Sequence, residues 1–103
     1  MTVKITPANA TQYLRHFGLS SRVDAVIVPS RHGCARKITV CHLFEQNQMH
    51  TYVAKGAAIC APSDTYDYDR GYDIALGRAL GQFLKSKYGE RPKAIIDSHG
   101  KAF

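Results

Sequence analysis

Acidic residues are scarce in this chain, cysteines cannot be paired off, and no apolar run is long enough to cross a bilayer. Fourteen Lys/Arg stand against eight Asp/Glu in 103 residues, a formal charge of +6. An excess of this size suits nucleic acid or an acidic protein partner. Cysteines occur only at 34, 41 and 60, an odd number at no disulfide-like or Cys-x-x-Cys spacing. A reduced, cytoplasmic protein is the reading this favours. A membrane helix needs about 20 apolar residues, and no such run exists, so no membrane partner is expected. The opening MTVKITPANA has no apolar core of the kind a secretory leader carries.

Catalytic patterns are missing too. No nucleophile–base pair can be named, so the chain is expected to be no enzyme, with no catalytic residue, metal or cofactor. Cys41 and His42 are adjacent in an extended segment, where neighbouring side chains point to opposite faces and cannot chelate together. Asp64, Asp67, Asp69 and Asp73 offer carboxylates to a cation, but without the glycine spacing and closing glutamate of a calcium loop. Helix capping and dipole stabilisation account for them more simply. Cys41 and Cys60 read as small buried hydrophobes.

What is present is one well-specified stretch, Ala57 to Lys87. An apolar strand end runs into an acidic turn and then a long amphipathic helix. Asp67 suits the N-cap, and Tyr72, Ala75, Leu76, Ala79, Leu80, Phe83 and Leu84 form one broad stripe. Acids at the amino end and Arg78, Lys85 and Lys87 toward the carboxyl end match the helix macrodipole. Gly89 and Pro92 mark the stop. Gly71, Gly77 and Gly81 each cost about 1 kcal/mol relative to alanine. The pair Gly77 and Gly81 is expected to admit a closely packed strand or helix.

The rest of the chain follows in order. Met1 to Ile5 reads as a short strand or a frayed lead-in. Thr6-Pro7 reads as N-cap and first helical residue, and Ala10, Tyr13, Leu14 and Phe17 fall at helical spacing before Gly18, predicting a helix over 7–17. Val23–Val28 is β-branched and closes at Pro29. Ala35–Gln46 alternates as a half-buried strand, Asn47-Gln48 suits a tight turn, and a third strand runs from about Met49 to Cys60 with a bend or bulge at Gly56. AIID, at 94–97, has the composition of a short fourth strand at an edge. No linker, repeat or low-complexity segment divides the chain. It reads as a single domain over 1–103, with an ordered core over about 6–92 and a flexible tail over 98–103.

Helix, three strands, helix implies an α+β fold: a three-stranded antiparallel sheet with both helices on one face. That order resembles the double-stranded-RNA-binding domain. Over residues 52–80 the chain is also similar to small phage and bacterial proteins of unassigned activity. There a strand leads into Cys60, Pro62, Asp64, Tyr66 and Asp67, followed on a helix by Gly71, Ala75, Leu76, Ala79 and Leu80. The resemblance implies this fold and a phage or mobile-element setting, hence a host cytoplasm. Double-stranded-RNA-binding domains carry a lysine cluster at the start of the second helix. Here Asp67, Asp69 and Asp73 stand in its place, and they repel phosphate.

Charge is unevenly spread: +5 over residues 1–55, −3 over 56–76 and +4 over 77–103. The basic loop Arg31, His32, Arg36 and Lys37, with Arg15 and Arg22, is the candidate surface for nucleic-acid backbone or an acidic partner. The alternative is a protein-binding module, an inhibitor of a host defence or transcription protein. It would use Tyr66, Tyr68 and Tyr72 or an exposed sheet edge. Homodimerisation through the third strand or the glycine face is compatible with either reading.

Overall fold

The computed structural model describes residues 4–29, 35–48, 51–60, 68–89 and 91–96. In chain order these form β1 (Lys4–Ile5), α1 (Pro7–Phe17), β2 (Leu19–Pro29), β3 (Ala35–Glu45), β4 (Ala54–Ile59), α2 (Tyr68–Tyr88) and β5 (Ala94–Ile95). The fold is α+β as the sequence predicts. The three strands β2, β3 and β4 form an antiparallel sheet in that order, with the helices packed on it.

Local chemistry explains α1. The Thr6 hydroxyl accepts the Asn9 N–H at 3.2 Å, and Asn9 Oδ1 accepts the Thr6 N–H at 2.7 Å, a reciprocal capping box. Asn9 Nδ2 also donates to the Lys4 carbonyl at 2.8 Å, tying β1 to the helix. Gly18 ends the helix at φ 64°, in the left-handed region that glycine enters without steric penalty. Its carbonyl accepts the Gln46 N–H at 3.2 Å, so the helix stop is also the first rung of the β2–β3 ladder.

That ladder is regular from Leu19↔Glu45 to Pro29↔Ala35. β2 therefore starts four residues earlier than the β-branched run suggests, because Leu19–Arg22 is pulled into the ladder by its partner. The connection from β3 is a tight turn in which Gln48 N–H donates to the Glu45 carbonyl at 2.9 Å. The third strand is shorter than predicted, and its expected start at Met49 lies outside the described residues. Its irregularity also sits elsewhere. Leu43 registers with Ala54, yet its carbonyl accepts the Val53 N–H at 2.7 Å, so two residues oppose one beside Val53. Gly56 lies in unbroken register with Cys41. Its glycine is required for another reason: a Cβ there would collide with the backbone of α2 at Ala75 and Ala79.

α2 is gripped from two sides. Toward the sheet, Gly56 and Gly71 let it lie against β4 and β3, with Thr39 beneath Gly71. On its other flank Gly77 meets Ile95 and Gly81 meets Pro92. The glycine pair thus admits a strand, as its spacing predicts. That strand, β5, does not extend the main sheet. It pairs in parallel with β1, and Ile96 N–H donates to the Ile5 carbonyl at 2.7 Å. The core comprises Ile5, Ala10, Leu19, Cys41, Leu43, Ala54, Ala58 and, on α2, Ile74, Ala75, Leu76, Ala79, Leu80 and Leu84. Ile74 lies outside the stripe read from the sequence and is buried because α2 is covered on more than its sheet side. The expected cap at Asp67 and the tail over 98–103 lie outside the described residues.

Candidate functional site

Strand alternation sets which side chains the sheet displays. Cys41 and Leu43 are fully buried on the helix side. The register then puts Arg22, Asp24, Val26 and Val28 of β2, and Arg36, Ile38, Val40, His42 and Phe44 of β3, on the helix-free face. Cys41 and His42 diverge as predicted, and burial pushes the Cys41 thiol up to about 12 from 9.0. Among the described residues no three His, Cys, Asp or Glu side chains gather as a metal-binding group. No helix among them is long and apolar enough to cross a membrane.

Of the predicted basic residues, the described ones (Arg15, Arg22, Arg36 and Lys37) lie apart from one another. Arg31 and His32 lie outside the described residues, as does Tyr66. Arg36 is exposed on the helix-free face, and Lys37, the next residue in the strand, points the other way. Arg22 shares the face of Arg36, but its rung is six residues along the ladder, roughly 20 Å away at about 3.3 Å per residue. It is 71% exposed and its Nε lies 3.4 Å from Asp24 Oδ2, so part of its charge is balanced locally. Arg15 sits in the exposed last turn of α1. The tyrosines divide as well: Tyr72 packs against the core, while Tyr68 is exposed with its ring centroid 6.3 Å from that of Tyr72.

Convergence occurs elsewhere, where β4, α2 and the segment before β5 meet. A cavity of about 480 Å³ there is lined by Lys55, Arg78, Gln82, Lys85 and Arg91, over a floor that includes Gly81 and Ile95. Its described lining contains four cations and no carboxylate. Two of the polar groups are fixed by the sheet. Arg78 Nη1 donates to the Ala57 carbonyl at 2.7 Å, and Gln82 Oε1 accepts the Lys55 N–H at 2.7 Å. Arg78, Gln82 and Lys85 recur at i, i+4 and i+7 along one polar stripe of α2. That stripe is visible in the sequence, but only the tertiary fold brings Lys55 and Arg91 to it.

The same two hydrogen bonds make the sheet's edges unlike. The outward N–H of Lys55 and the outward C=O of Ala57 on β4 are both capped by α2. On β2 the ladder alternates so that Leu19, Ser21, Val23, Ala25 and Ile27 direct their backbone groups outward. No described residue bonds to them. The distal half of this strand carries large exposed apolar side chains, with Ile27 at 61% and Val26 and Val28 also open. The helix-free face continues this apolar surface through Ile59 on β4.

No family model matches the chain, and neither a curated protein nor a solved structure matches it significantly.

Proposed function

We propose that this protein is a non-enzymatic binding protein that holds a nucleic-acid phosphate backbone, with the cationic cavity between α2 and β4 as its principal contact. The observation that carries this reading is the gathering of Lys55, Arg78, Lys85 and Arg91 around one cavity without a described carboxylate. Phosphates displace condensed counterions when they meet such a cluster, which makes binding favourable and steeply salt-dependent. Arg78 is held by the Ala57 carbonyl. Part of its ordering cost is therefore met before any ligand arrives. The hairpin cations Arg36 and Lys37 serve as a second, outlying contact rather than the centre.

Fluorescence anisotropy with duplex RNA, duplex DNA and single strands, each titrated with salt, tests this reading. The element order shared with double-stranded-RNA-binding domains makes duplex RNA one arm of the panel. A Lys85→Glu/Arg91→Glu variant should lose most of the affinity and lower the salt slope by about one per phosphate contact removed. An Arg36→Glu/Lys37→Glu variant should lose less. Absence of binding to every ligand at low salt contradicts the proposal.

A second reading rests on a different observation, the apolar helix-free face that includes Val26, Val28 and Ile59. Patches of this kind suit a protein partner, as an inhibitor of a host protein would require. Such a complex would survive salt that abolishes phosphate binding.

A further inference from the structure

We infer that two copies of this chain pair antiparallel through the β2 edge, around a two-fold axis at Val23, to give a continuous six-stranded sheet. Three independent observations point there.

The first is that the two sheet edges are treated differently. β4 is closed by Arg78 and Gln82, whereas the outward backbone groups of β2 bond to no described residue. Solitary proteins protect a bare edge with charged side chains, prolines, bulges or a covering element. Between Ser21 and Val28 the β2 ladder is unbroken and carries no lysine or proline, and its only charges are the opposite-sign pair Arg22 and Asp24.

The second is charge. Arg22 and Asp24 share one face, two residues apart. In an antiparallel pair of identical strands, directly opposed residues have numbers with a constant sum. A centre at Arg22 or at Asp24 sets like charges opposite each other. A centre at Ala25 sets Arg22 against Val28 and Asp24 against Val26. Only the centre at Val23 sets Arg22 opposite Asp24 of the second copy, twice by symmetry. Opposite-charge cross-strand pairs stabilise a sheet and like-charge pairs oppose it.

The third is coverage. The Val23 register joins Ser21 to Ala25 and Leu19 to Ile27 of the other copy, all residues whose backbone groups point outward. It stops short of Pro29, which has no N–H to give. Ile27, exposed on the helix side because α2 lies over β3 and β4, comes to rest beside Leu19 of the second copy, where that copy's α1 ends. The segment left most apolar and bare in one chain is thus the segment the second chain covers. The third strand and the glycine face, the other candidates for self-association, are already occupied by α2 and by β5.

The experiment is sedimentation equilibrium on the ligand-free protein and on two exposed charge variants, Arg22→Asp and Asp24→Arg, each checked for folding by circular dichroism. The wild type should sediment at twice the 11.4 kDa chain mass. Each variant alone opposes like charges and should dissociate roughly tenfold to a hundredfold more readily. Mixed in equal amounts, the two variants set a strand with two acids at these positions against a strand with two arginines, and should recover the dimer. Ala25→Pro removes an outward N–H without taking a bond from the β2–β3 ladder, and should give a folded monomer. A wild type that stays monomeric at every concentration overturns the proposal, whether β2 is solvated or pairs with a different protein. So does a mixture of folded variants that fails to associate.

Discussion

The two edges of the main sheet are both antiparallel strands, and they are finished in different ways. β4 lies under α2, and its outward groups end on Arg78 and Gln82. β2 pairs with β3 and meets α1, its outward backbone groups bond to no described residue, and Val26, Ile27 and Val28 are exposed. The difference comes from helix placement. A helix drawn onto β3 and β4 by Gly56 and Gly71 cannot also cover β2. One edge therefore becomes a cationic cavity and the other an apolar strand, and each suits a different kind of ligand.

The comparison breaks most completely if α2 is lifted. Gly56→Val places a side chain against the α2 backbone at Ala75 and Ala79, where neither side has a flexible atom to yield. Overpacking of this kind should cost about 3 kcal/mol or more, read as a lowered urea midpoint, and it should open the β4 edge at the same time. Removing the caps alone is milder. An Arg78→Ala/Gln82→Ala variant should lose about 1–2 kcal/mol, the worth of two partly exposed hydrogen bonds, with faster amide exchange at Lys55.

Between the edges, the middle strand carries a pH signature. The Cys41 thiol is raised from 9.0 to about 12 by burial. Above pH 9 the unfolded chain releases this proton and the folded chain keeps it, so the unfolded state binds fewer protons. The stability linked to Cys41 is therefore fully present below pH 9 and is lost as pH rises toward 12, by about 1.4 kcal/mol per pH unit. Denaturation of wild type and Cys41→Ala across that range should show a slope difference of this sign. The smallest effect is a gain. Thr39 is buried with its Oγ1 lacking a hydrogen-bond partner among the described residues. Thr39→Val keeps the shape, removes the unsatisfied hydroxyl, and should raise stability by about 1 kcal/mol.

Much of this architecture is written locally. Thr6-Pro7, the spacing of Ala10, Tyr13, Leu14 and Phe17, and Gly18 define α1 to the residue, because capping and left-handed glycine are short-range chemistry. The three strands and α2 follow from alternation and a 3.6-residue stripe in the same way. What escapes the sequence depends on distant partners. Gly56 looks like a bend until α2 is seen pressing on it, and AIID looks like an edge strand until β1 claims it. The candidate site is less legible for the same reason. Arg31, Arg36 and Lys37 are neighbours in sequence and invite a patch; Arg36 and Lys37 are adjacent on β3 and point to opposite faces, and Arg31 lies outside the described residues. Lys55 and Arg91 are far apart in sequence and meet only because α2 bridges them. The β2 edge is readable as β-branched sequence, but its bareness depends on where the helices lie.

Amide hydrogen exchange resolved at Lys55 and Ala25, followed as protein concentration is raised, tests the contrast between the edges most directly. The account predicts that Lys55 is protected at every concentration by Gln82. Ala25 should exchange fast when the protein is dilute and become protected as second copies pair with it. Fast exchange at Ala25 across the whole range, or an unprotected Lys55, would contradict it.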